Sequence, residues 1–259
     1  MSKVFISIIK MKQKRRAWTR NELIVTFNIY CKIEFSKINY RNPLIQSLAN
    51  LIGRTPSAVA WKLVNFASLD SELTKRGIKG AKNSSKLDKE IFNEFINNWE
   101  LLVEESESLL QQYHQINKEQ QNIILKLKEG KETLRFVKTR VNQSFFRDAV
   151  LSSYSASCCL TGINIPELLV ASHIIPWSKD KKNRLNPQNG LCLNSLHDKA
   201  FDRGLISFDE NYRLILSTEI KRKRNKYFSD LEGNQMTLPK KFLPKLEFLE
   251  YHHKVIFKK

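Results

Sequence analysis

The segment 170–204 constrains the fold of this chain more than any other, because it places two histidines and an asparagine on short elements that must fold together. Its first part is apolar and predicts a strand ending at His173. Asn189 follows in a loop, directly before Gly190, and His197 lies on a short helix predicted over Ser195 to Asp202, which ends at Gly204. Strands followed by a helix are the frame that would bring these three side chains to one place.

Short strands and turns dominate the region around this segment, after a helix predicted over Gln143 to Tyr154. The strands are predicted at Cys158 to Thr161, Leu168 to Ile174 and Leu191 to Leu193, with a hairpin pairing Leu205 to Phe208 with Arg213 to Ser217. We predict that these elements form a C-terminal domain over 137–259.

The N-terminal part has a different pattern, that of amphipathic helices. One helix follows a Thr19 cap, a second spans Pro43 to Gly53, and a third begins at Pro56 after a Thr55 cap. Two helices joined by a glycine turn predict a helix-turn-helix-like DNA-binding domain over 11–85. The residues expected to face DNA are Ser57, Trp61, Lys62 and Asn65. The alternative is an ordinary pair of core helices in which Trp61 is buried.

The stretch 86–136 links these two regions and is predicted to be mostly helical. Its polar middle, Gln111 to Gln121, predicts an exposed helical connector, with a dimerisation helix as the alternative. The predicted fold class is therefore α+β: a mainly helical N-terminal domain, a helical connector and a C-terminal domain with short strands.

The charge of the chain favours a polyanionic partner. The formal net charge is +18 and the Lys and Arg residues are spread along the sequence, which is typical of nucleic-acid binding, although a solvated basic surface is the alternative. The four cysteines show no disulfide framework, so we expect a reducing, cytoplasmic location. No window approaches the roughly 20 apolar residues that a membrane span needs, so no membrane partner is expected.

The residue types in the segment 170–204 fit phosphodiester hydrolysis. This reaction needs a base to activate water, a cation to absorb charge on the phosphorane, and a group that holds the base. His173 is predicted as the base, Asn189 as the group that bonds the loop or the histidine, and His197 as a metal ligand. Arg184 and Arg203 are candidates for phosphate contacts, with solvated side chains as the alternative for each.

From about Gln143 to its end, the chain resembles the HNH endonucleases of the restriction and phage-defence type. The similar motifs are Ala171 to Trp177, Asn189 to Leu193 and His197 to Ile206. The resemblance implies a ββα-metal fold and metal-dependent cleavage of DNA, with Mg²⁺ or Mn²⁺ as the cofactor. It also implies that His173 is the general base, that Asn189 positions it and that His197 binds the metal.

Two departures from the family pattern concern metal ions. Many relatives carry Asp or His immediately before the base, whereas this chain has Ser172, a weak ligand, so Asp202 or Asp198 would have to contribute to the metal site. Many relatives also carry paired Cys-x-x-Cys knuckles. Here Thr161 and Gly162 lie two and three positions after Cys159, so the second cysteine of a knuckle is missing and structural zinc is not expected.

These observations predict an endonuclease of duplex DNA with a restriction or defence role. Because one such site cuts one strand, a double-strand break would need a homodimer or two encounters. Two alternatives remain open at this point. One is a DNA-binding regulator with an inactive HNH scaffold, and the other is a nuclease specific for modified DNA.

Overall fold

The structure is a computed structural model that describes residues 16–75, 77, 84–121 and 134–259. The side chains of residues 72, 118–121 and 134–141 lie outside this description, as do parts of the predicted domains 11–85 and 86–136. The domain boundaries themselves stay predictions. Within the described ranges, none of the helices combines the length and the apolar character that crossing a bilayer requires.

Helices form the N-terminal lobe, which we define as residues 16–121. The predicted Thr19 cap is confirmed, because its side chain accepts a hydrogen bond from the Glu22 amide and the Glu22 carboxylate accepts one from the Thr19 amide. The helices are α1 (Arg20–Lys32), α2 (Pro43–Leu51), α3 (Pro56–Ala67), α4 (Ser71–Lys75), α5 (Lys86–Phe95) and α6 (Trp99–Gln121).

The turn between α2 and α3 has the predicted local chemistry. Gly53 has a φ of +65°, a left-handed conformation that side chains with a Cβ atom rarely adopt. Thr55 caps α3 by accepting a hydrogen bond from the Ala58 amide. The two helices are therefore present as the sequence predicts, whereas their role as a DNA-reading motif stays a prediction.

Helix α1 is the centre of this lobe, since α3, α5 and α6 all pack on it. The ring of Phe27 lies 5.0 Å from that of Phe66 and 5.5 Å from that of Phe92, centroid to centroid. The region predicted as a connector thus supplies core residues: Phe92 and Phe95 of α5 and Trp99 of α6 are buried. The polar part of α6 that the structure describes, 111–117, is mostly exposed, as predicted.

The C-terminal lobe, residues 134–259, contains two small antiparallel sheets. The predicted strand at Cys158 to Thr161 is wrong: the Gly162 amide donates to the Cys158 carbonyl, and the segment forms a turn. The elements are α7 (Leu134–Ser153), β1 (Leu169–His173), β2 (Gly190–Asn194), α8 (Ser195–Asp202), β3 (Ile206–Phe208), β4 (Leu214–Leu216), α9 (Thr218–Lys223), α10 (Lys226–Ser229) and α11 (Leu246–Tyr251). Strand β1 pairs with β2, and β3 pairs with β4.

A buried lysine joins the two lobes. Lys241 of the C-terminal lobe is 1 % exposed, and its ammonium donates hydrogen bonds to the carbonyls of Tyr30 and Ile33, each at 2.6 Å, at the C-terminal end of α1. Burial lowers the pKa of Lys241 to about 8, which leaves it mostly charged at pH 7. The Ser152 hydroxyl also donates to the Cys31 carbonyl. The apolar core is continuous across this junction.

Candidate active site

The three motif residues lie on one continuous strand, loop, strand and helix. His173 is the last residue of β1 and pairs with Gly190, the first residue of β2. Helix α8 follows β2 without a loop, because Asn194 caps it by accepting a hydrogen bond from the His197 amide at 3.0 Å. The order of elements is the one that the sequence predicts, and α8 has the predicted bounds.

His173 is held by one ring nitrogen and by two aromatic rings. Its Nε2 lies 2.9 Å from the Arg184 carbonyl oxygen. Since a carbonyl only accepts, Nε2 carries the proton and the neutral ring keeps its lone pair on Nδ1. Phe146 stacks on the imidazole at 3.7 Å, and Trp177 meets it edge-on at 5.5 Å. Burial lowers the pKa of His173, partly offset by the hydrogen bond to Arg184, so the ring is neutral at pH 7.

Asn189 fastens the loop that follows His173. The side chain is fully buried, and its Oδ1 accepts a hydrogen bond from the Ile175 amide at 2.8 Å. Its Nδ2 donates to the carbonyls of Ile175 and Asn183. Of the two contacts predicted for Asn189, the structure has the one with the loop. Because the same loop carries the Arg184 carbonyl, Asn189 acts on the orientation of His173 indirectly.

A hollow of about 400 Å³ opens beside His173, and we call it the His173 hollow. Three exposed side chains of α8 and its C-terminal end line it: Lys199, Asp202 and Arg203. Partial burial and the neighbouring Asp198 carboxylate raise the pKa of Asp202. In the described part of the chain, Asp202 accepts no hydrogen bond. The hollow is therefore lined by two imidazoles, those of His173 and His252, by a carboxylate and by two cations.

The prediction that His197 binds the catalytic metal does not fit the structure. His197 is fully buried, its Nε2 lies 3.3 Å from the Tyr227 hydroxyl and its Nδ1 lies 4.0 Å from the Cys158 sulfur. Tyr227 also stacks on the ring. At 100° per residue, Lys199 and Asp202 lie roughly 140° to 200° around α8 from His197. His197 thus belongs to the enclosed face of α8, and His173 to the side of the hollow.

The Cys158 thiol is an ionisable partner of His197. Burial raises the pKa of this thiol, but hydrogen bonds from His197, from Thr161 and from the backbone outweigh burial and lower the pKa to about 7. Cys158 is only 1 % exposed. This pair, which we call the His197 pair, is an internal polar contact rather than an open ligand site.

Two further predicted site residues, Ser172 and Arg184, contact other parts of the protein. Ser172 is buried, and its Oγ makes no hydrogen bond in the described part of the chain. Because side chains alternate along a strand, Ser172 points to the face of β1 opposite His173. Arg184 donates from Nε to the Trp177 carbonyl and stacks over the Trp177 ring, so it stiffens the loop. Its contact with DNA stays a prediction.

A divalent metal has one suitable donor beside His173. Among the residues that the structure describes, no three His, Cys, Asp or Glu side chains are arranged to hold a metal ion. His197 and Ser172 do not fit this role, for the reasons above. Asp202 does, since it is an exposed carboxylate in the His173 hollow and carboxylate oxygens are what Mg²⁺ and Mn²⁺ prefer.

On α3, the structure separates the four residues predicted to face DNA into two groups. Ser57 is exposed, and Trp61 is 65 % exposed. The predicted exposure of Lys62 and Asn65 is wrong, because both are buried and donate hydrogen bonds to the Asp88 carboxylate of α5. Helical spacing alone does not show that α5 covers this end of α3.

Sequence reasoning also missed residues that shape the site. Neither Phe146 nor Lys199 is among the predicted site residues. The motif itself held a signal for Lys199, because a residue three before Asp202 must share its helix face. The partners of His197 gave no such signal, since Cys158 and Tyr227 lie 39 and 30 residues away along the chain.

Comparison with known families supports the assignment of this segment. A family model described as HNH endonuclease matches residues 158–209, which contain His173, Asn189 and His197. The match confirms the resemblance to HNH endonucleases for this part of the chain, while the restriction and phage-defence type stays a prediction. No curated protein matches the sequence.

Proposed function

We propose that this protein is a metal-dependent endonuclease that hydrolyses phosphodiester bonds of duplex DNA. The proposal rests on the tautomer of His173 and on its position at the His173 hollow. Its Nε2 proton is donated to the Arg184 carbonyl, Nδ1 keeps a lone pair, and the residue lines a hollow together with Arg203 and Asp202. A neutral imidazole fixed in one tautomer next to an anion-binding side chain is the arrangement that a general base for phosphodiester hydrolysis needs.

In the proposed reaction, water attacks the phosphorus atom and gives its proton to Nδ1 of His173. The bond from phosphorus to the 3′ oxygen breaks, and that oxygen takes a proton from solvent and leaves as a 3′ hydroxyl, so the other strand end carries a 5′ phosphate. The Arg184 carbonyl and the Phe146 ring hold the imidazole in place, so the ring keeps its orientation as positive charge develops on it. Arg203 and Lys199 attract the phosphate and offset its negative charge. Asp202 would hold the divalent ion, Mg²⁺ or Mn²⁺, which when bound would neutralise charge on the phosphorane and on the leaving oxygen.

The substrate class is supported by charge and by the second lobe. The net charge of +18 attracts a polyanion, and the exposed lysines 179, 181 and 182 lie on the loop next to His173. A reader joined to a nuclease in one chain suits a restriction or defence enzyme. We also propose that two copies act together on duplex DNA, since each has a single His173 hollow and one hollow cuts one strand.

The test of this function is cleavage by wild-type protein and by His173→Ala, with Mg²⁺ or Mn²⁺ present. His114→Ala is the matched control, because His114 is an exposed histidine on α6. We expect His173→Ala to lose cleavage by about 10² to 10⁴-fold while still binding DNA, and His114→Ala to cleave normally. Chelation should abolish cleavage by the wild type. Equal cleavage by His173→Ala and wild type would refute the proposal.

Binding without cleavage by the wild type, with either metal, would instead support the alternative of a regulator with an inactive scaffold. Parallel assays on modified and unmodified genomic DNA, followed by sequencing of the cut ends, address the alternative of a nuclease specific for modified DNA.

A further inference from the structure

A large hollow lies in the N-terminal lobe, at one side of α3. Its volume is about 810 Å³, and we call it the Trp61 hollow. Ser57, Trp61 and Asn65 of α3 line it together with Trp18 and Arg54. These three α3 residues are four apart in sequence and therefore form one stripe along the helix. The stripe runs from exposed Ser57 through exposed Trp61 to buried Asn65.

Trp61 offers an open aromatic surface, because 65 % of it is exposed. The second tryptophan, Trp18, differs: the Arg54 guanidinium lies 4.3 Å from its ring centre and the Lys62 ammonium 5.2 Å. Two cations thus lie near the Trp18 ring, whereas the exposed ring of Trp61 is available for stacking. An exposed indole that borders a hollow can stack against a flat aromatic ligand.

Asn65 adds an unsatisfied hydrogen-bond acceptor. Its Nδ2 donates to Asp88 at 3.3 Å, and this contact fixes the amide, because the opposite orientation would set Oδ1 against a carboxylate. Asn65 is 5 % exposed, and its Oδ1 has no hydrogen-bond partner in the described part of the chain. A buried acceptor of this kind is costly unless a ligand brings a donor to it.

The charges around the hollow favour an anion. Arg16, Arg54 and Lys62 face the carboxylates Glu22 and Asp88, which leaves one positive charge in excess. Arg16 has a side chain that is 55 % exposed, although it is paired with Glu22. A ligand that matches these features is flat and aromatic, carries an N–H donor on its edge and is attached to a phosphate.

We propose that the Trp61 hollow binds one unstacked nucleobase of a DNA strand. The base would stack on Trp61, donate from its edge to Asn65 Oδ1 and place its phosphate near Arg16. In an intact duplex both the face and the edge of a base are covered, so such a base must be flipped out or lie in a single-stranded or mismatched position. This inference rests on the proposed function for its choice of DNA as the polymer.

The test uses the full chain with His173→Ala as background, so that binding is measured without cleavage. Fluorescence anisotropy would compare a labelled single strand, a duplex with one unpaired base and a fully paired duplex. Trp61→Ala should weaken binding to the first two by about 5- to 150-fold, and by less for the paired duplex, because one stacking contact is lost. Asn65→Leu should weaken them by about 2- to 10-fold.

Tyr40→Ala is the matched control, since Tyr40 is an aromatic residue of the same lobe, 51 % exposed, that does not line the hollow. It should bind each DNA as the background protein does. Circular dichroism checks the folding of each variant. If Asn65→Leu fails to fold, the exposed Trp61 alone decides the result.

Unchanged binding by folded Trp61→Ala would overturn the proposal. So would binding of a free deoxynucleoside monophosphate as tightly as the single strand, or preference for an RNA oligonucleotide over DNA of the same sequence. The proposed nuclease function is judged by a different readout, cleavage by wild type against His173→Ala. The failure of one proposal therefore does not imply the failure of the other.

Discussion

The His173 hollow and the His197 pair lie on different faces of α8, and they put the two histidines of one motif into opposite environments. His173 commits one nitrogen to a backbone carbonyl and borders an open hollow with two cations. His197 has both nitrogens near protein partners and no exposed surface. Motif spacing alone therefore does not indicate which of the two histidines borders an open hollow and which one is enclosed by the protein.

His197→Ala tests whether His197 stabilises the fold or binds the metal, and we expect it to have the greatest effect of the variants below. Removing a fully buried ring leaves a cavity between Tyr227 and Cys158, and we expect a loss of about 2–4 kcal/mol in the free energy of unfolding, measured by urea denaturation. Cleavage per folded molecule should stay within a few-fold of wild type. If stability were retained while metal affinity fell, His197 would be a metal ligand after all.

Gly190→Ala tests whether the packing of Phe146 orients the His173 ring. A Cβ at this position would lie 2.4 Å from Val150 Cγ2 and 2.9 Å from Phe146 Cζ, so Phe146 must shift under the imidazole. We expect a loss of about 1–3 kcal/mol in stability, measured by thermal or urea unfolding, together with slower cleavage. A stability loss with normal cleavage would show that the Phe146 stack does not orient the base.

Asp202→Asn sharpens the assignment of the open side of α8. The amide keeps the shape but loses the charge that attracts a divalent ion, so we expect Mn²⁺ affinity to fall by about tenfold or more, measured by calorimetry without DNA. Glu210→Gln, an exposed carboxylate outside the His173 hollow, is the control. Equal Mn²⁺ affinity in both variants would remove Asp202 from the metal site.

The smallest expected effect is on the pH dependence of cleavage. Because burial lowers the pKa of His173, Nδ1 is free to take a proton above a pKa that lies below the ordinary 6.5. Cleavage should be constant near pH 7 and fall on acidification, with its midpoint below pH 6.5. A midpoint above pH 7 in the rate of the chemical step would contradict this environment for His173.

Local chemistry along the chain was sufficient to predict most elements that carry the site. The caps Thr19 and Thr55, the left-handed Gly53 and the bounds of α8 depend on a few neighbouring residues, so the sequence shows them directly. Strand β1 and the loop fastened by Asn189 were predictable for the same reason.

The errors concern long-range partners. Lys62 and Asn65 have the spacing of an exposed helix face, but Asp88, 26 and 23 residues further on, draws both into the interior. The motif predicts His197 at the metal, and local sequence does not show its partners, because Cys158 and Tyr227 lie 39 and 30 residues away. Periodicity shows which residues share a face, and only the packed fold shows what covers that face.

The Lys241 contact has a consequence for engineering. If the N-terminal lobe were exchanged for a different domain, the new domain would have to end a helix where the carbonyls of Tyr30 and Ile33 now lie, or leave a buried ammonium without acceptors. A chimaera without acceptors for Lys241 should fold poorly even when the grafted domain is stable by itself. The lobes are therefore exchangeable only as a pair matched at that helix end.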